Sequence, residues 1–169
     1  MSIHTELPAH ELLAVAIRSE IEAADVYTRL QKRVKNEILK MKLKFLIAEE
    51  KKHRQILEKL FSQRFSEREL LIPEKSFLPS LKDSLKDKFS VKDLFKFAQK
   101  AEKVSEKFYK EGGEKAEDVE SRRILAYLAR VERSHYFMIQ SEIEMLDRFP
   151  DYYNVEDFHL VQDMFHLGP

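Results

Sequence analysis

The sequence contains two Glu-x-x-His motifs, Glu50 with His53 and Glu132 with His135. Residues three apart share a face of an α-helix, so each motif presents one carboxylate and one imidazole to the same side. Hard carboxylate oxygens combined with one imidazole suit iron or manganese, whereas zinc more often takes thiolate or histidine-rich sites. Each motif therefore predicts one half of a metal site.

Both motifs belong to a set of residues that occurs twice in the chain, at a spacing of 82 positions. Glu20 and Tyr27 precede the first motif, and Glu102 and Tyr109 precede the second at the same offset. The only histidines outside the first ten and last eleven residues are the two of these motifs. Any one glutamate of the set could instead be a partly exposed or lysine-paired residue of a charged bundle. The repeat favours a functional site over that alternative.

Apolar residues at helical spacing predict the elements that position this set. The first stripe begins near Pro8 and continues to Val34, and the second follows a weak break at Asn36 and extends to Leu60. The break is short, so these two helices form a tight hairpin.

Two further stripes predict a second hairpin. Ser90 and Asp93 suggest a cap for the third helix, which we expect to stop at Gly112 and Gly113. The fourth helix covers about residues 124–146. Each Glu of the doubled set lies about 22 Å from the turn of its own hairpin, at 1.5 Å rise per residue. Antiparallel packing therefore brings the four carboxylates to one level.

The connection between the hairpins is unusually long. Periodicity fails over about residues 65–89, where compact domains normally use far fewer residues. We expect this crossover to return along the bundle before the third helix begins. The predicted organisation is a single domain over residues 1–169, with the bundle over about 8–149 and a tail over 150–169.

Composition restricts the classes of function. With 43% hydrophobic residues, the 169-residue chain can build one core. Thirty basic residues balance thirty acidic ones, which argues against nucleic-acid binding. No apolar run approaches a membrane span and no signal peptide is evident, so we expect a cytoplasmic protein. The absence of Cys excludes disulfides, iron–sulfur clusters and thiol catalysis.

Carboxylates on core-facing stripes require compensation of their charge. Two Fe(II) ions would neutralise four carboxylates. The two motif glutamates can each bridge both metals, each motif histidine can hold one metal, and the other two glutamates would be terminal ligands. The predicted ligands are Glu20, Glu50, His53, Glu102, Glu132 and His135.

In order and register, these residues resemble the rubrerythrin branch of the ferritin-like superfamily, over roughly residues 10 to 147. The resemblance implies an all-α, ferritin-like antiparallel four-helix bundle, built from two hairpins joined by one long crossover. It also implies two iron ions per chain, with manganese or zinc as substitutes, that react with O2 or H2O2. By the same resemblance, Tyr27 and Tyr109 hydrogen-bond the ligands; core aromatic residues at helical spacing are the alternative.

The chain departs from typical rubrerythrins at two points. These carry a rubredoxin-like domain held by Cys, so in this chain an external electron-donor protein would have to supply electrons. They also carry a further ligand Glu three residues after the Glu of the third helix. Here that position is Ser105, and Glu106, one residue later, is a candidate extra carboxylate.

Three functions remain open at this point. The first is a di-iron oxidoreductase, a peroxidase or oxidase, that is re-reduced by its donor. The second is iron storage or ferroxidase activity without an external substrate, and the third is a metal-free helical interaction module. The crossover and the aromatic tail also resemble segments that pack between protomers, which predicts a homodimer.

The tail contains one further candidate site. Asn154 and Asp157 could cap a short helix on which His159, Asp163 and His166 share a face. This trio could bind an additional metal, but a solvent-facing helix side explains it more simply. We therefore expect removal of the tail to leave two metals per chain.

Overall fold

The structure, a computed structural model, describes residues 7–78 and 90–151. Within them the chain forms four helices and no strand: α1 (Ala9–Arg33), α2 (Glu37–Arg64), α3 (Val91–Lys115) and α4 (Val119–Arg148). The prediction of an all-α four-helix bundle is confirmed. The tail helix and its His159, Asp163 and His166 lie outside the described residues. The single-domain assignment stays a prediction.

Polar side chains start three of the helices by accepting hydrogen bonds from free backbone N–H groups. The Asn36 side chain accepts from the Leu39 amide at 2.9 Å, which explains why the chain turns between α1 and α2. Ser90 and Asp93 form the predicted cap as a reciprocal capping box. Asp118 caps α4 and also pairs with Arg64 at the end of α2.

Gly112 and Gly113 do not end α3, and the expectation that the helix stops there is wrong. The helix continues to Lys115, and neither glycine has a positive φ. A Cβ atom at Gly113 would lie 3.4 Å from the Leu125 Cβ. The missing side chains thus let α3 and α4 approach closely, and this packing offsets the low helix propensity of glycine, about 1 kcal/mol per residue.

The helices form two antiparallel hairpins whose polarity requires a long crossover. Ala9 at the start of α1, Leu60 near the end of α2, Gly112 near the end of α3 and Ser121 at the start of α4 all line one cavity of about 360 Å³. Because α2 ends and α3 also ends at this end of the bundle, the chain must return along the bundle before α3 begins, as predicted.

The described part of the crossover packs on the outside of α1 and α3. The Ser76 hydroxyl donates to Glu22 on α1 at 2.6 Å. The ring of Phe77 stacks on Phe108 of α3, with 4.2 Å between ring centroids. Leu78 is buried at the end of this segment.

The core consists of two hydrophobic clusters with a polar layer between them. One cluster includes Leu30, Leu43 and Phe95, and the other includes Ile17 and Leu128. Each fully buried Leu, Ile or Phe contributes roughly 1.5–3 kcal/mol. This apolar burial on both sides can support a layer of buried acids that would be costly by itself.

None of the four helices carries an apolar stretch of the length needed to cross a bilayer; this holds for residues 7–78 and 90–151.

Candidate metal centre

The structure brings all six predicted ligand residues together in the polar layer. Glu20 comes from α1, Glu102 from α3, and the two Glu-x-x-His motifs from α2 and α4. All six side chains are buried, with at most 2% of their surface exposed. The face that each helix turns to the core therefore carries its charged residues at one level of the bundle.

His53 faces three carboxylates from three different helices. Its Nδ1 atom lies 3.3 Å from Glu20 Oε2, 3.5 Å from Glu50 Oε2 and 3.0 Å from Glu132 Oε1. The contact with Glu50 arises within α2, since the two residues are three apart. The other two contacts depend on the packing of α1 and α4 against α2.

His135 repeats this environment in the second half of the bundle. Its Nδ1 atom lies 3.1 Å from Glu50 Oε1, 3.6 Å from Glu102 Oε2 and 3.9 Å from Glu132 Oε2. The two imidazole rings are nearly parallel, with an interplanar angle of 19° and 5.6 Å between centroids. The doubled sequence pattern thus produces two equivalent halves of one site.

Glu50 and Glu132 each connect the two halves. Glu50 turns Oε2 to His53 and Oε1 to His135. Glu132 does the reverse, with Oε1 toward His53 and Oε2 toward His135. A carboxylate whose two oxygens face two different imidazoles is placed to bridge two cations.

The other two glutamates each turn one oxygen to a tyrosine. The Tyr109 hydroxyl donates to Glu20 Oε1, and the Tyr27 hydroxyl donates to Glu102 Oε1. Both bonds cross between α1 and α3. Burial, followed by the nearby carboxylates, raises the pKa of both tyrosines well above the usual value, so the hydroxyls stay protonated and donate. Both tyrosines therefore hydrogen-bond glutamates of the cluster, and their role as partners of metal ligands stays a prediction.

Many polar atoms of the site lie close to one another, yet among the described residues they form no contact with hydrogen-bond geometry. Both oxygens of Glu50, Oε2 of Glu20, Oε2 of Glu102 and both ring nitrogens of each histidine are in this state. Buried polar atoms are normally paired, because an unpaired one costs roughly 1–3 kcal/mol. Atoms that face inward without a partner are the expected donor set of a bound cation.

The acids of the site respond differently to burial. Burial is the largest influence on Glu20 and raises its pKa to about 8, although contact with His53 acts in the opposite direction. Burial, followed by repulsion from Glu50 and Glu102, raises the pKa of Glu132. Burial also opposes ionisation of Glu50, but contacts with both histidines outweigh it and hold its pKa well below the usual range. Without a cation, the cluster therefore retains protons.

The histidines share this proton retention. Burial alone would lower their pKa values, but the surrounding carboxylates outweigh it. Glu132 and Glu20 raise the pKa of His53, and Glu102 and Glu50 raise the pKa of His135 to about 9. A divalent cation would compete with these protons for the same atoms.

Two overlapping groups of residues can each surround one cation. In each group, one ligand atom per residue lies within 4.8 Å of all the others. Glu50 and Glu132 belong to both groups. The groups are Glu20, Glu50, His53 and Glu132, and Glu50, Glu102, Glu132 and His135.

Comparison with known proteins gives a family match over most of the chain. The family model described as Rubrerythrin matches residues 11–143. The chain belongs to the rubrerythrin family. Its resemblance to that family, stated above from the residues alone, is confirmed.

Two solved structures are similar to this rubrerythrin-family chain. A hypothetical protein from Pyrococcus furiosus is 33% identical, with a TM-score of 0.76, and the match covers 87% of this chain and 95% of that one. An uncharacterized conserved protein from Magnetospirillum magnetotacticum MS-1 shares the fold at 22% identity and a TM-score of 0.62, over 82% of this chain and 95% of that one. A search of curated proteins finds no match.

The family's additional ligand position does not carry an acid in this chain. Ser105 occupies it and is buried, whereas Glu106 is half-buried one residue further along α3. Glu106 is not part of either ligand group. The site described here is therefore formed by six residues, and their role as metal ligands stays a prediction.

Glu142 is a further buried acid, which neither the motifs nor the repeat of the sequence identify. It lies on the core stripe of α4, seven residues after His135, and Lys42 of α2 pairs with it. Its position on the stripe was the available signal. Glu142 is ten residues beyond Glu132, so at 1.5 Å per residue it lies about 15 Å along the helix from the site.

Proposed function

We propose that this chain is a di-iron oxidoreductase that reacts with O2 or H2O2 and is re-reduced by a separate electron-donor protein. The observation that carries the proposal is the position of Glu50 and Glu132, each with one oxygen toward each histidine. This arrangement supports two adjacent cations rather than one. Membership of the rubrerythrin family supports iron as the metal.

The donor set fits this assignment. Four carboxylates and two imidazoles offer hard oxygen ligands with one nitrogen for each metal, which suits iron or manganese. The four acids also compensate the charge of two divalent ions. Iron bound here would supply reversible electron transfer between the Fe(II) and Fe(III) states. Manganese and zinc are the substitutes that we expect to bind to the same residues.

The chain's own residues would hold and shield this centre. Glu50 and Glu132 would bridge, while His53 and His135 would each hold one metal. Tyr27 donates to Glu102 and Tyr109 to Glu20, so one oxygen of each of these terminal glutamates is fixed and the other points inward. The hydrophobic clusters lie on both sides of the layer, and each of the six side chains is at most 2% exposed.

Anaerobic titration of the full-length protein with Fe(II) tests the proposal. We expect two iron ions per chain, and then loss of Fe(II) with a change in optical absorbance after separate pulses of O2 and H2O2. A reductant should restore the starting spectrum over repeated cycles. Uptake of many irons per chain would support storage instead, and the absence of iron uptake would support a metal-free interaction module.

A further inference from the structure

We infer that the outer surface of α3 and α4 is the docking site for an acidic protein that carries a one-electron redox centre. This inference rests on the proposed re-reduction of the metal site by a separate donor. It concerns a set of exposed basic side chains, which we call the cationic face. The face consists of Lys96, Lys100, Lys103, Lys110, Arg130 and Arg133.

A contact between the helices shows where this face lies. Lys92 of α3 pairs with Asp147 of α4, so these two residues mark the outer seam between the helices. Lys103 follows Lys92 by eleven residues, and Arg133 precedes Asp147 by fourteen. These separations are close to three and four helical turns. Lys103 therefore lies on the same side of α3 as Lys92, and Arg133 lies on the same side of α4 as Asp147.

The six basic groups of this face outnumber the acids beside them on α3, which include Asp93 near Lys96 and Glu106 one turn from Lys103. No acidic side chain lies within 4.0 Å of the six basic groups among the described residues, whereas the neighbouring Lys107 pairs with Glu111 at 3.6 Å. The whole chain carries no net charge, so the face is a local concentration. Such a patch attracts a partner of opposite charge and accelerates the encounter.

The bundle itself does not require these lysines. Each position of α3 corresponds to the position 82 residues earlier on α1. The residues of the site are the same at corresponding positions in both halves of the chain. Only one of the four positions that correspond to lysines of the face is basic. The residues there are Ala14, Arg18, Ile21 and Thr28.

The cationic face and the metal site use the same two helices. Lys103 directly follows Glu102, and Arg133 directly follows Glu132. Because a helix with its side chains is about 10–12 Å wide, a partner on this face would be separated from the site by roughly one helix. Nucleic acid would also match the charge, but the short path to the site favours a redox partner.

An apolar anchor lies within the face. Phe137 follows His135 by two residues and is 52% exposed, with the Arg133 guanidinium 5.9 Å from its ring centroid. Tyr136 contacts the same ring edge to face, at 5.4 Å between centroids. An exposed aromatic residue surrounded by charge is typical of interfaces that have an apolar centre and a polar rim.

In the proposed reaction each reduced carrier would lose one electron, and two carriers would return two Fe(III) ions to Fe(II).

Binding of a rubredoxin with net negative charge tests this inference. We would measure its dissociation constant by calorimetry with the iron-loaded, full-length protein, at low and at high ionic strength. The test variant carries Lys96→Glu, Lys103→Glu and Lys110→Glu. The matched control carries Lys44→Glu, Lys51→Glu and Lys59→Glu on α2, which changes the net charge equally at exposed positions.

We expect the test variant to bind the rubredoxin at least about tenfold more weakly and the control to bind within about twofold of the wild type. Added salt should weaken the wild-type complex and affect the test variant less. Equal losses in both variants, or no binding by the wild type at low ionic strength, would overturn the inference. The inference would also be overturned, in favour of nucleic acid, if a 20-nucleotide DNA duplex bound more tightly than the rubredoxin and the rubredoxin could not displace it.

Iron content and oxidation by O2 are measured separately on the same three proteins. Both should be unchanged, because none of the substituted residues contacts the site. If the wild type fails to take up iron, the proposed function fails whatever the binding result. If iron uptake and oxidation are normal but charge reversal on the cationic face has no specific effect on binding, only the docking inference fails.

Discussion

Glu50 and Glu20 differ in what their second oxygen faces. Both oxygens of Glu50 point to histidines, whereas Glu20 turns one oxygen to His53 and the other to the Tyr109 hydroxyl. A bridging residue contributes to two cation positions and a terminal residue to one. Removing Glu50 should therefore disable both positions, and a change at Glu20 should weaken mainly one.

Replacement of Glu50 tests the bridging role. We expect Glu50→Ala to abolish loading of two metals, because both ligand groups lose a shared oxygen donor. The metal-free fold should remain helical but become less stable, because Glu50 is the ionised partner of two buried histidines. Metal analysis and circular dichroism provide the measurements, and Glu49→Ala is the control at the adjacent, half-buried position. Two metals per chain in Glu50→Ala would contradict the assignment.

Replacement of Tyr109 tests the hydrogen bond to Glu20, which we propose as a terminal ligand. Tyr109→Phe keeps the ring but leaves Glu20 Oε1 without its donor. Loss of such a supporting hydrogen bond typically weakens metal affinity by about 10–100-fold. Competition with a chelator measures this loss. Tyr136→Phe is the control, because Tyr136 contacts Phe137 rather than a glutamate of the site. Equal affinities in both variants would show that Tyr109 acts only as a core aromatic residue.

The six site residues could be predicted because their chemistry is local to the sequence. The repeat and the i,i+3 spacing define them without any knowledge of packing. The partners of Tyr27 and Tyr109 could not be predicted in the same way, since each bond joins α1 to α3. Glu142 was missed for a related reason. Its partner Lys42 is one hundred residues away in sequence, and no repeat marks the pair.

At the scale of helices, the hydrophobic periodicity and polar caps identified all four elements. Ser90 marks the start of α3 because its side chain accepts from the backbone N–H three residues later. Asn36, identified from the sequence only as a break, caps α2 in the same way. The end of α3 was not predicted correctly because glycine occurs both at the ends of helices and inside helices that pack closely against a neighbour. It ends a helix where a positive φ is needed, but here φ is negative and close packing against Leu125 retains the helix.

Substitution at Gly112 tests this explanation. A Cβ atom there would lie 3.6 Å from Leu125 Cδ1, an ordinary van der Waals contact. Gly112→Ala should therefore stabilise the protein by about 0.5–1 kcal/mol through higher helix propensity. A thermal melt should show a rise of roughly 2 °C. Gly113→Val places a larger group against the Leu125 backbone region and should lower the melting temperature. A similar decrease in both variants would show that Gly112 also has no room.

At the scale of the whole molecule, we predict a homodimer. The described residues offer one apolar strip for a partner copy, because Ile38, Met41 and Phe45 lie on one side of α2 and are 51%, 64% and 49% exposed. Light scattering at micromolar concentration should give twice the monomer mass. Met41→Glu should shift the protein toward monomer, and Lys51→Glu should not. A wild-type monomer would refute the prediction, and a very large particle would favour iron storage.

The whole molecule should also respond to pH in opposite directions with and without metal. The folded, metal-free protein raises the pKa of Glu20 to about 8 and that of His135 to about 9, so it binds protons that the unfolded chain has already released. The stability that these protons contribute is fully present below the pKa values of the unfolded chain. It is lost as the pH rises through the pKa values of the folded protein. The free energy of unfolding should therefore fall by a few kcal/mol between about pH 6.5 and 9.

A bound divalent cation replaces these protons and reverses the trend, because affinity increases as the ligands lose their protons. Urea denaturation at pH 6.5, 7.5 and 8.5 measures both cases, with a chelator in one series and Mn(II) in the other. Glu20→Gln cannot ionise, so it should flatten the decline of the metal-free protein, whereas Glu49→Gln should leave the decline unchanged. If the stability of the metal-free wild type rises from pH 6.5 to 8.5, the buried acids do not retain the protons that we assign to them. The cation would then bind to a cluster that is already ionised.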